Sequence, residues 1–164
     1  MPVAQNTPFE RLQPCLFDRL VDEDIQNRQE SRVARVISLS EYRTAVLRDL
    51  SWLLNSNSHI QSEGLADFPY VESSVFNFGT PSLSGLGIAG MNQQDVEAEF
   101  ARSVRTFEPR IVPDTLVVRM VHESAKDSPS TLVFEIRGEL WARPFPEKLF
   151  IKTTLDIETG EVKM

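Results

Sequence analysis

The apolar residues of this chain change their period once, and the change falls on Phe107-Glu108-Pro109-Arg110. Before that point they recur at three- and four-residue steps; after it they alternate. One half can therefore bury its stripe only as helices and the other only as a sheet. Pro109 stiffens the join. It disfavours the helical conformation at Glu108, so the chain must turn there with an acid and a base on either side of a rigid joint.

The helical half has clear punctuation. Ser38 with Glu41 three residues later fits a capping box, and Tyr42, Val46, Leu50, Leu53 and Leu54 form one buried face behind it. Asn55-Ser56-Asn57-Ser58 ends that helix with residues that favour local side-chain bonds to the backbone. A short second helix is predicted from Tyr70 to Phe78, stopped by Gly79 in a left-handed cap. A third is predicted from Gln93 to Phe107, with Asn92 as N-cap and Val96, Phe100, Val104 and Phe107 as its buried edge. Its acids lie early and its arginines late, complementing the helix dipole.

Strands follow. Leu116–Val121 is one; Leu132, Phe134, Ile136 and Leu140 point inward along a second. A third sets Leu149, Ile151, Leu155 and Ile157 against outward Lys152, Thr154 and Asp156. Glu158-Thr159-Gly160-Glu161 reads as a hairpin turn into a terminal strand, Val162-Lys163-Met164. The expected fold is α+β: about three helices packed on one face of a small antiparallel sheet. Residues 1–36 are expected to form an N-terminal arm and 37–164 a single domain. In the arm, Phe9, Leu12, Leu16, Phe17 and Leu20 recur at helical spacing. They fit either a solvated leader or an anchor that folds onto a partner.

The chain has 164 residues and a formal charge of −7, which opposes dedicated nucleic-acid binding and docking on an anionic membrane through basic residues. No apolar run nears the roughly 18 residues of a membrane-spanning helix, and the N-terminus lacks a secretory pattern, so a cytoplasmic location is expected. One cysteine, Cys15, and two distant histidines, His59 and His122, nominate no disulfide, metal or cofactor. Cys15 is expected to be an unreactive small hydrophobe. Gly85-Leu86-Gly87-Ile88-Ala89-Gly90 lacks both the strand of a dinucleotide turn and the Gly-Lys-Ser/Thr of a P-loop.

Glu108-Pro109-Arg110 is open to two readings. As a helix stop with a surface ion pair it is worth at most ~1 kcal/mol. As an interface it is pre-organised, because Pro109 limits the freedom lost on docking and Arg110 can grip a carboxylate with two bonds. The enzymatic alternative is a peptidoglycan-cleaving, lysozyme-like pair, Glu108 with Asp114 or Glu99. A general acid must hold its proton, and an adjacent guanidinium favours the charged form, which argues against it. No catalytic residue is nominated.

Several segments, in order and spacing, resemble the TssE family of type VI secretion baseplates, within the wider family of contractile-tail sheath initiators that includes a phage baseplate-wedge protein. They are Leu16-Phe17-Asp18-Arg19-Leu20, Tyr42 to Leu50 running into Trp52-Leu53-Leu54-Asn55, Ser74 to Gly79 with Leu83-Ser84-Gly85, Phe107 to Arg110, and Leu155 to Gly160. The resemblance implies a non-enzymatic baseplate subunit without cofactors that joins the wedge to the first ring of the contractile sheath and initiates its assembly. It implies Glu108, Pro109 and Arg110 as partner-binding residues. The implied partners are the wedge proteins TssF and TssG, the adaptor TssK and the sheath protein TssB.

Overall fold

A computed structural model describes residues 12–21, 36–58, 67–83, 92–121, 131–142 and 146–163. Helix α2 (Leu39–Leu54) begins with the expected capping box: the Ser38 hydroxyl accepts the Glu41 N–H at 3.2 Å, and the Glu41 carboxylate accepts the Ser38 N–H at 2.7 Å. Helix α4 (Gln93–Phe107) starts where Asn92 accepts the Gln94 N–H. Each helix buries the stripe read from its sequence, Val46 and Leu50 from one and Phe100 and Val104 from the other. They pack on each other and on one face of the sheet.

That sheet is an antiparallel meander, ordered β1 (Val117–Val121), β2 (Thr131–Leu140), β3 (Glu147–Asp156) and β4 (Val162–Lys163). Register is continuous along β2 and β3, from Thr131 opposite Asp156 to Leu140 opposite Glu147. Phe134 and Ile136 of β2 are fully buried beneath the helices, and the Phe100 ring stacks on Phe134 at 4.7 Å. Burying a side chain of this size stabilises by about 1.5–3 kcal/mol. The turn before β4 forms as expected, with Gly160 at φ 73° and the Asp156 carboxylate accepting the N–H groups of Glu158 and Thr159.

Two expectations are corrected. The predicted helix over 70–78 is broken into α3 (Pro69–Glu72) and a 3-10 turn (Val75–Asn77), because the Ser74 hydroxyl accepts the Phe76 N–H and starts a new turn. Tyr70, Val75 and Phe76 face outward, Tyr70 with 89% of its surface exposed, while Phe78 packs edge-on against Phe107. Gly79 is required for close approach rather than as a helix cap. At φ 137° it lies against the end of α2, where a Cβ would come within 2.5 Å of the Ser56 carbonyl. In the described part of the arm, the Ile37 N–H donates to the Leu12 carbonyl, and α1 (Leu16–Leu20) sets Phe17 edge-on against Trp52 of α2 at 5.3 Å. Phe9, His59, His122, Met164 and the glycines at 85–90 lie outside the described residues.

Candidate functional site

Glu108 is the residue that ends α4. Its N–H still donates to the Val104 carbonyl at 2.9 Å, but its non-helical backbone and Pro109 stop the helix. The chain then runs along the end of β2. Trp141 N–H donates to the Arg110 carbonyl at 2.7 Å, Val112 N–H to the Glu139 carbonyl at 2.8 Å, and Ile111 bridges Leu140. Gly138 makes room for this: a Cβ there would stand 2.9 Å from the Ile111 side chain. Tyr42 of α2 closes the other side, its buried hydroxyl donating to the Trp141 carbonyl at 3.1 Å. Burial pushes the Tyr42 phenol up from its usual value, against a smaller downward pull from Arg110.

Within this frame the acid and base face each other. Only 3% of Glu108 is exposed. Its Oε1 accepts from the Arg110 backbone N–H at 3.1 Å and from Arg110 Nε at 2.6 Å, while Oε2 accepts from Arg110 Nη2. The same Nη2 reaches Asp49 Oδ2 of α2 at 2.6 Å. The Arg110 side chain keeps 19% of its surface in solvent. Burial pulls its guanidinium down, but the bonds and charges of Glu108 and Asp49 outweigh it and hold the group above its ordinary range. Pro109, at the crest of the turn, is exposed, and so is Trp141 at 56%.

The ion pairing continues away from the turn. Asp49 Oδ1 accepts from Arg48 Nε at 2.9 Å and Nη2 at 2.7 Å, and Arg48 Nη1 donates to Asp18 of α1. Arg48 also lies over the Trp52 ring at 4.9 Å and the Phe17 ring at 5.3 Å. Cys15 departs from its expected apolar role, its thiol donating to Asp18 Oδ2 at 2.9 Å.

All three expected site residues therefore meet, but with divided duties. Glu108 faces inward and fixes Arg110, leaving Pro109, the edge of Arg110 and Trp141 in contact with solvent. Asp49 and Trp141 were missed from sequence. The signal for Asp49 was present: it lies three residues after Val46 and one before Leu50, on the buried side of α2, where a carboxylate needs a partner. Trp141 follows the inward Leu140 and carries no comparable mark.

Of the two candidate partners in the lysozyme-like reading, Glu99 stands too far from Glu108 for that chemistry. Glu99 is nine positions earlier on α4, roughly 13 Å along the axis, beyond the roughly 5–9.5 Å separations that glycosidases use. It pairs with Arg102, while Asp114 sits exposed in the 3-10 turn Pro113–Thr115. Among the described residues no cluster could hold a metal ion, and no helix is long and apolar enough to cross a membrane.

The family model of the baseplate wedge protein gp25 matches residues 40–144, from the start of α2 past the end of β2, with the whole Glu108-Pro109-Arg110 turn inside it. No curated protein and no solved structure matches the chain. The matched span covers well over half of the sequence and both layers of the fold, so this chain belongs to the baseplate wedge protein gp25 family, a structural family of contractile baseplates.

Proposed function

We propose that this chain is the TssE-type subunit of a type VI secretion baseplate, which ties the wedge to the first sheath ring and initiates sheath assembly. It acts without catalysis or cofactor. Residues 37–164 are the working domain and 1–36 its arm; the assembly is cytoplasmic, at a baseplate docked on the inner-membrane complex. Glu108, Pro109 and Arg110 are the partner-binding knuckle for TssF and TssG, with TssK and TssB as further neighbours.

One observation carries this reading: an arginine held by two carboxylates under an exposed proline and an exposed tryptophan. A surface whose side chains are already locked loses little freedom on docking, and tryptophan and arginine dominate binding energy at such surfaces. For the sheath, the edge of β1 is a poor acceptor of strands. At Met120 its N–H donates to Glu97 and its carbonyl accepts from Gln93, both on α4. That favours the opposite edge of the sheet.

Charge reversal at Arg110 is a poor test, because it would set a third acid between Glu108 and Asp49 and disturb the fold. Pro109→Ala with Trp141→Ala leaves that cluster intact. The double variant should keep the denaturation midpoint of the wild type and bind a purified TssF–TssG complex about tenfold more weakly or worse. Equal affinity would count against the knuckle as the docking site.

A further inference from the structure

The sequence motif Leu16-Phe17-Asp18-Arg19-Leu20 has no part in the docking surface, yet it ends one continuous path of charges. That path runs Asp18, Arg48, Asp49, Arg110, Glu108, each contacting the next. Asp49 is its pivot, because its two oxygens are divided, Oδ1 to Arg48 and Oδ2 to Arg110. Arg48 is divided in the same way between Asp49 and Asp18. The rings of Phe17 and Trp52 flank Arg48 and hold it in place.

We propose that α1 is a positioning element for the partner-binding knuckle, with Asp18 setting the geometry of Arg110 through Arg48 and Asp49. With Asp18 in place, Arg48 is satisfied on both ends and leaves one Asp49 oxygen to Arg110. Without it, Arg48 loses one of its two anchors and no longer fixes Asp49 where Arg110 can reach it. Arg110 then keeps Glu108 alone and gains freedom that it must lose again on docking. None of these positioning residues needs to touch the partner. This inference rests on the knuckle being the docking site.

The test compares the full chain with Asp18→Asn, Arg48→Lys and the double variant Asp18→Asn/Arg48→Lys. Lysine keeps the charge of Arg48 but cannot bridge two carboxylates with a fork. Two quantities are measured: hydrogen exchange at the Ile111 and Trp141 amides, and affinity for the purified TssF–TssG complex. Exchange at the Phe134 and Ile136 amides controls for a general loss of fold. Each single variant should speed exchange at Ile111 and Trp141 and weaken binding roughly threefold to tenfold, with the control amides unchanged. The double variant should be no worse than either single one, because all act on one path.

Unchanged exchange at Ile111 and Trp141 in both single variants overturns the positioning role, whatever happens to binding. Faster exchange with unaltered binding overturns it too, provided that the Pro109→Ala/Trp141→Ala variant has lost affinity. If that last variant binds normally, the docking reading itself fails, and exchange alone then decides whether α1 positions the knuckle. Additive losses in the double variant would show two separate effects and also overturn the inference.

Discussion

Two arginines near α4 have the same chemical surroundings and different physical ones. Arg110 lies between Glu108 and Asp49; Arg102 lies between Glu72 and Glu99. Each guanidinium therefore has one carboxylate from α4 or its end and one from another helix. Burial separates them. Arg102 keeps 44% of its side chain in water and its acids keep about as much, whereas Glu108 is almost wholly covered. Water and salt already satisfy the first cluster, so its bonds add little. Around Glu108 little water is left to replace a missing partner, and removing one charge strands the other. Equal bonding on paper thus becomes a surface decoration in one place and a structural joint in the other.

The strongest way to break this contrast is to remove one acid from each. Glu108→Ala should destabilise the fold by about 3–5 kcal/mol, since it leaves Arg110 largely buried with half its partners gone. Glu99→Ala should cost less than about 1 kcal/mol. Denaturant titration at low and high salt checks both: raising salt should shrink the smaller effect and leave the larger one nearly untouched. Equal costs would show that burial does not divide the two sites.

Next in size is the joint's seat on β2. Gly138→Ala would press a methyl group on the Ile111 side chain, and overpacking of this kind costs about 1–3 kcal/mol. The loss should appear at the knuckle first, as faster exchange of the Val112 amide, which donates to Glu139. An unchanged midpoint would mean that Ile111 can move aside and that the seat is looser than its distances imply.

How much of this was legible in the sequence depends on how local the cause was. Capping at Ser38 and Asn92, the stripes of α2 and α4 and the turn at Asp156–Gly160 are fixed by neighbours within a few residues, and all appear as expected. The segment 69–77 defeats the same reasoning, because one serine hydroxyl interrupts a helical pattern whose apolar side chains then stay outside. Glu108-Pro109-Arg110 could be found from sequence as a stiff charged turn. That its acid faces inward could not, because this depends on Asp49, about sixty positions earlier, and on Gly138. Contacts at such separation leave only indirect marks, such as an aspartate on a buried helical face.

The mildest effect is expected at the solvent end of the charge path, and it sharpens the contrast by titration. Asp18 faces Arg48 and Cys15, with Arg110 farther along; the bond from Arg48 holds its carboxyl below the ordinary range, against the upward push of partial burial. A carboxyl depressed in the folded state stabilises α1 docking above its unfolded value, and this contribution is lost as pH falls through the folded one. Docking should therefore hold at neutral pH and weaken only in acid, below the usual carboxylate range. Trp52, which lies under Arg48 and edge-on to Phe17, is the reporter. In a Trp141→Phe background its emission should change on acidification before the core unfolds, and Asp18→Asn should show the acid-state emission already at neutral pH. If the asparagine variant keeps the wild-type emission and the same acid transition, Asp18 does not hold α1 in place, and the charge path ends at Arg48.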